Sequence, residues 1–167
     1  MKKLILLMIV STIGLNVLNA QTFSQGDKAI AVRVSYLGLD LSKSKEQDNK
    51  KNIYFGLKGD YFLIDKLALT AGVDYSNNNG DNSMLGDVGC KYYFWKCIYG
   101  GVLYQGLYDF GRLNSRGKIE IGASYYITDK IFIEPAIYFV SGEHAVNVKK
   151  VETLSQIGLA VSVGVNF

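Results

Sequence analysis

From Ile157 to its last residue the chain alternates without a break. Ile157, Leu159, Val161, Val163, Val165 and Phe167 fall on one face, and Gly158, Ala160, Ser162, Gly164 and Asn166 on the other. A period of two is the signature of a β-strand, because successive side chains leave a pleated backbone on opposite sides. The same alternation recurs upstream. Ile119, Ile121, Ala123, Tyr125 and Ile127 oppose Lys118, Glu120, Gly122, Ser124 and Tyr126, and Ile53, Phe55, Leu57, Gly59 and Tyr61 oppose Tyr54, Gly56, Lys58 and Asp60. In each case one face is apolar and the other small, polar or charged. That rules out helices as the main element and demands a sheet with two chemically different sides.

Composition agrees, since one proline, 18 glycines, 12 tyrosines and 8 phenylalanines suit strands and turns better than helices. The connections between strands are also regular. "YFLIDKLAL" (Tyr61 to Leu69) and "YYITDKIFI" (Tyr125 to Ile133) are near copies, and "YYFWKCIY" (Tyr92 to Tyr99) is a shortened third version; each marks a tight turn. Between them lie longer polar stretches: Ser42 to Lys51, Asn77 to Ser83, Asp109 to Gly117 and Gly142 to Thr153. Strands are therefore expected near residues 28–41, 52–63, 67–76, 84–94, 97–108, 117–127, 131–141 and 154–167. Three short turns alternating with four long loops describe an eight-stranded antiparallel up-and-down meander, with both chain ends on the short-turn side.

The N-terminus reads as an export signal. Lys2 and Lys3 form a basic start, Leu4 to Val10 an apolar run, and Asn19-Ala20-Gln21 the cleavage region. This divides the chain into a signal peptide, residues 1–20, and a single barrel domain, residues 21–167. A retained membrane helix is the competing reading; Ser11, Thr12, Gly14 and Asn16 interrupt it before the ~20 apolar residues a span needs. Loss of Lys2 and Lys3 lowers the formal charge from +3 to about +1, so nothing points to a nucleic-acid partner.

Strands of about 10 residues cross a bilayer when tilted, and a closed even-numbered meander leaves no backbone unpaired in lipid. The apolar face then points outward. A soluble lipocalin-like barrel turns the same pattern inside out. Against it stand the regular asymmetry of turns and loops, and a cluster of aromatic residues beside the short turns: Tyr61, Phe62, Tyr92, Tyr93, Phe94, Trp95, Tyr125, Tyr126 and Phe167. Such a cluster is placed where an interfacial girdle would lie. The signal peptide, the eight strands, the short turns and the ending "LAVSVGVNF" together resemble the small outer-membrane β-barrel proteins of Gram-negative bacteria, the OmpX-like and OmpA-barrel-like group, over essentially all of residues 27–167. The resemblance implies an integral outer-membrane location with both termini facing the periplasm. It also implies that Val161, Val163, Val165 and Phe167 form the signal read by the barrel-assembly machinery, and that the last strand pairs with the first to close the barrel.

With the apolar face outward, Arg33, Lys58, Lys91 and Lys118 face inward with Asp60, Asp74, Asp87, Glu120 and Glu134. Eight strands enclose a space that side chains just fill, so these charges are expected to pair in a hydrogen-bonded network. A narrow polar path for ions or very small solutes is the alternative. Inward Gly56, Gly72, Gly89, Gly122, Gly158 and Gly164 leave room for Tyr54, Tyr126 and Tyr138.

Signals for chemistry are thin. The lone histidine, His144, stands beside Ser141 and Glu143, but neighbours in sequence rarely converge as a triad, so a hydrolase is the third and weakest reading and no catalytic residue is assigned. The glycines from Gly80 to Gly89 have no following helix to hold a phosphate, the acidic residues there match no calcium loop, and Cys90 and Cys97 lack companion zinc ligands. No metal and no cofactor is expected. If Trp95-Lys96 is the turn, Cys90 and Cys97 lie roughly 13 Å apart at ~3.3 Å per residue, too far for a disulfide, and both face lipid. Lys43, Lys45, Lys50, Lys51, Lys149 and Lys150 make the outer loops basic, a counter-charge for lipopolysaccharide phosphates. The function expected is structural or surface-interacting, with outer-membrane lipid, possible lipopolysaccharide, the assembly machinery and an unidentified surface partner as contacts.

Overall fold

The computed structural model describes residues 23–40, 52–78, 81–109, 112–147 and 150–167, with side chains described over 23–36, 53–76, 82–106, 115–142 and 155–167. The segment expected to be a signal peptide, residues 1–20, lies outside the described residues. Nine strand segments follow one another: β1 (Lys28–Asp40), β2 (Asn52–Ile64), β3 (Leu67–Asn78), β4 (Asp81–Trp95), β5 (Ile98–Asp109), β6 (Arg112–Ala123), β7 (Tyr125–Tyr126), β8 (Ile131–Asn147) and β9 (Lys150–Asn166). Every neighbouring pair is antiparallel, β6 and β7 both pair with β8, and β9 pairs with β1. The nine segments thus make eight staves of one closed barrel.

The break between β6 and β7 has a cause in the only proline of the chain. Gly122 pairs with Ala136 and Tyr125 with Ile133, so Pro135 sits where Ala123 would seek a partner. Proline has no N–H to give to the ladder. Ser124 leaves the ladder as well, and its N–H bonds instead to the Cys97 carbonyl at 2.8 Å.

Tilt is visible in the pairing. From Lys28 the partners run through Tyr61, Leu69, Cys90, Val102, Ile119, Phe139 and Ile157, and the next step returns to β1 at Leu39 rather than Lys28. Such a stagger is what closure of a tilted sheet requires. The alternation then sorts the side chains. Ile30, Val32, Val34, Leu57, Phe55, Val73, Val88, Val102, Ile119, Ile121, Ile137, Leu159, Val161, Val163 and Val165 are exposed on the outside, while the partners that alternate with them are buried within. On β8 the outward apolar residues run from Ile131 to Phe139, about 27 Å along the strand at ~3.4 Å per residue. Beyond Phe139 the outward positions turn polar at Ser141, and beyond Ile157 at Ser155. A band of this height facing out is a lipid-facing surface, and water would not tolerate it on a soluble chain.

Three of the four stretches expected as long loops are largely strand. Strands extend to Asn78 and from Asp81, to Asp109 and from Arg112, and to Asn147 and from Lys150, leaving a long connection only between Asp40 and Asn52. The longest pair, β8 and β9, has 17 residues in each strand, well past the ~10 a tilted strand needs. Their ends project beyond the apolar band, where an outward apolar face is no longer needed and the sequence pattern fades.

At the opposite end, Asp65-Lys66 and Lys96-Cys97 form two-residue turns, with Lys66 at φ 70° and Lys96 at φ 28°. Each turn is preceded by a bulge, between Phe62 and Ile64 and between Tyr93 and Trp95. A bulge inserts one residue and shifts the inside-outside parity. Two consecutive side chains therefore face out, Leu63 with Ile64 and Phe94 with Trp95. The expectation that Trp95-Lys96 is the turn and that Cys97 faces lipid is corrected by this: Cys97 lies in the turn and is buried, while Cys90 is exposed. Both thiols are free. The start of β1 and the residue after β9 meet at this same end, where Lys28 N–H donates to the Phe167 carbonyl at 3.0 Å and Phe167 N–H to that of Lys28 at 2.9 Å.

Candidate functional site

The site to be explained is the barrel interior, and it is layered. Nearest the short turns lies an aromatic layer of Phe23, Phe62, Ala68, Tyr93 and Tyr99, with Tyr126 packed against it. Phe62 and Tyr93 were expected in the lipid-side girdle; both are buried inside, because each precedes a bulge and keeps inward parity. The girdle itself consists of Tyr61, Tyr92, Phe94, Trp95 and Phe167, all exposed, with Tyr125 half-buried.

Above this layer Glu134 of β8 gathers donors from four other residues, three on strands and Ser124 between β6 and β7. Lys91 Nζ lies 2.9 Å from its Oε1, Tyr99 donates its hydroxyl at 2.8 Å, Ser124 donates to Oε2 at 2.9 Å, and Lys58 forms a further ion pair. Lys91 also reaches Asp60 at 2.9 Å and lies 4.7 Å from the centroid of the Tyr99 ring. Lys91 and Glu134 are 0% and 1% exposed, so neither charge is solvated by bulk water and each depends on the other.

A second network follows. Arg33 Nη2 bridges Asp74 at 2.8 Å and Asp87 at 2.9 Å, and Lys118 joins Asp87 at 3.3 Å to Glu120 at 2.9 Å. Gly72 makes the arginine's position available: a Cβ there would stand 2.8 Å from Arg33 Nη2 and 2.5 Å from Asp87 Oδ1. Next toward the projecting strands comes an apolar cluster of Tyr54, Leu85, Ala136, Tyr138, Val140 and Ala160. Tyr138 lies over its cross-strand partner Gly158, where a Cβ would fall 2.3 Å from the ring.

The nine inward residues read from the sequence, Arg33, Lys58, Asp60, Asp74, Asp87, Lys91, Lys118, Glu120 and Glu134, are all placed inside and buried. Arg116 was missed. It is buried in phase with Lys118 and Glu120 on β6, in a stretch that reads as loop. With it, the described interior holds Arg33, Lys58, Lys91, Arg116 and Lys118 against Asp60, Asp74, Asp87, Glu120 and Glu134, equal numbers of each sign.

Val161, Val163, Val165 and Phe167 point outward from β9, with Val163 beside Val32 and Ile133, and Val165 beside Ile30 and Ile131. The side chains of Glu143 and His144 lie outside the described ones, as do Lys43, Lys45, Lys50, Lys51, Lys149 and Lys150; Ser141 Oγ stands 3.5 Å from Ser155 Oγ. Among the described residues there is no grouping of histidine, cysteine and carboxylate side chains that would hold a metal ion.

No protein-family model matches the sequence, and no curated protein matches it. Solved structures do share its architecture. The N-terminal β-barrel domain of OprF from Pseudomonas aeruginosa is 17% identical, over 88% of this chain and 100% of that one, with a TM-score of 0.57. The outer membrane protein OprG of the same organism is 14% identical over 89% and 99%, with a TM-score of 0.59. Neisserial surface protein A is 13% identical over 86% and 100%, with a TM-score of 0.57. At such identities the likeness is one of fold: an eight-stranded antiparallel barrel of the integral outer-membrane type, in keeping with the lipid-facing band.

Proposed function

We propose that this integral outer-membrane β-barrel is a closed structural element whose working surface is the set of strand ends and loops projecting beyond the lipid band. The observation that carries the reading is the interior itself. A lumen crossed by ion-paired Arg33, Lys58, Lys91, Lys118, Asp74, Asp87, Glu120 and Glu134, and capped by the aromatic layer at one end and the Tyr54–Tyr138 cluster toward the other, is filled like a core rather than left as a channel. The long β8–β9 hairpin supports the second half of the reading, since strand length beyond the band serves no purpose in lipid. The outer loops would meet lipopolysaccharide or a surface partner, the basic stretch around Lys43 to Lys51 being suited to phosphate. Val161, Val163, Val165 and Phe167 would present the edge that the assembly machinery reads.

Liposome swelling tests the closed interior. Vesicles carrying the refolded protein should swell in isosmotic urea or glycine no faster than protein-free vesicles. Rapid swelling would make a narrow pore the function instead.

A further inference from the structure

The repeated hairpin sequence has a use that turn formation does not explain. In "YFLIDK", "YYFWK" and "YYITDK" the second aromatic residue of each copy, Phe62, Tyr93 and Tyr126, points into the barrel. The three rings come from three different hairpins and surround one guest, Phe23. Phe23 stacks on Phe62 with centroids 4.1 Å apart and planes at 11°, and meets Tyr93 at 4.8 Å and Tyr126 at 5.8 Å. Its guest belongs to no strand. Residues 23–27 fold back over the barrel mouth, reversing at Gly26 with φ 92°, a value glycine adopts without strain. They are pinned by Gly26 N–H to the Phe62 carbonyl at 2.9 Å, by Phe62 N–H to the Asp27 carbonyl at 2.9 Å, and by Gln25 N–H to Asp65 Oδ1 at 3.0 Å. Asp65 is the turn aspartate of the first hairpin copy. Ser24, Gln25 and Gly26 are otherwise exposed.

What lies behind Phe23 is polar. Thr70 is two residues along β3 from Ala68 of the aromatic layer, and it pairs across the sheet with Asp60. Thr70 Oγ1 and Asp60 Oδ1 are buried with no hydrogen-bond partner among the described residues, and Glu120 Oε1 is in the same condition further in. Buried oxygens of this kind draw water wherever it can reach them.

We propose that residues 23–27 are a hinged plug: Phe23 occupies an aromatic cage built by the repeated hairpin motif and seals the polar interior from the solvent at the short-turn end. The proposal rests on the closed-interior reading and adds which element does the closing at that end. The Tyr54–Tyr138 cluster lies on the far side of the polar layers, so undocking the plug opens the interior from one side and does not by itself make a through-channel.

Access to Thr70 reads this out. In the full-length protein carrying Cys90→Ser and Cys97→Ser, a Thr70→Cys substitution places a thiol just behind the cage without removing a hydrogen bond the structure records. Methyl methanethiosulfonate, small and uncharged, is the probe, and modification is followed by mass on protein shown to be folded by its heat-modifiable gel mobility. With Phe23 in place, labelling should be slow; Phe23→Ala should raise its rate at least tenfold. Asp65→Ala, which frees Gln25 and leaves the cage intact, should raise it by a smaller factor. Equal rates with and without Phe23, whether slow or fast, overturn the plug. Solute passage through the whole barrel is read separately by swelling, so a leaking barrel and an unimportant Phe23 give different results.

Discussion

Lys91 of β4 and Glu134 of β8 meet across the middle of the barrel at 2.9 Å, each almost without solvent exposure. The two strands are not neighbours in the sheet, so this ion pair ties opposite parts of the wall through the lumen. Removing one partner of a buried pair leaves the other charge without compensation, a loss of about 3–5 kcal/mol. Glu134→Ala strands Lys58, leaves Lys91 with Asp60 alone, and is expected to destabilise the folded barrel by at least the lower figure. Urea unfolding in detergent micelles or lipid vesicles, followed by tryptophan fluorescence of Trp95, checks it. Simultaneous replacement of Lys58, Asp60, Lys91 and Glu134 by methionine, leucine, methionine and methionine should recover part of the loss, since it leaves no member of this ion-pair group unpaired and apolar residues of similar volume need no partner.

Arg33 depends on a missing side chain. Gly72→Val places atoms where Arg33 Nη2 and Asp87 Oδ1 now stand. The arginine cannot then hold Asp74 and Asp87 together, and overpacking of this kind costs typically 1–3 kcal/mol before any loss of ion pairing. We expect a lower unfolding midpoint, whereas Gly86→Val, at an outward glycine with open space around it, should leave the midpoint nearly unchanged.

On the outside the sign of the expectation is set by lipid. Val163 is exposed beside Val32 and Ile133 within the apolar band. Arginine there is expected to cost about 2–4 kcal/mol if the position lies near the bilayer midplane. Refolding equilibria in vesicles measure this. A stability equal to that of the native sequence would mean that this face does not meet hydrocarbon.

Phe167 caps β9 where it meets the start of β1, its carbonyl and N–H both bonded to Lys28. Truncation before Phe167 should lower the yield of folded barrel in outer membranes more than it lowers refolding in vitro. Equal effects in the two assays would assign Phe167 to packing alone.

Much of this interior could be read from parity. Lys58 and Asp60, or Lys118 and Glu120, alternate with apolar residues inside the membrane band, where an outward charge is prohibitive, so the face of every residue follows from the pattern. Arg116 escaped because β6 extends past the band, where Ser115 and Gly117 are tolerated outside and alternation carries no signal. Cys97 falls on the other side for another reason: the bulge at Phe94 moves the turn by one residue, and no residue type in the run announces a bulge. Phe62 and Tyr93 follow parity inward with Asp60 and Lys91, and only their nearness to the short turns suggests the girdle. Phe23 was invisible, since it precedes the first strand and its partners come from three separate hairpins.

Planar-bilayer conductance of the refolded barrel, residues 21–167, tests the closed interior most directly. Protein shown independently to be folded and inserted should give no discrete openings, and the search for a partner would then belong to the projecting strand ends and loops. Discrete openings that change on replacing Glu134 or Lys91 would contradict a filled lumen and establish an ion path along the paired charges.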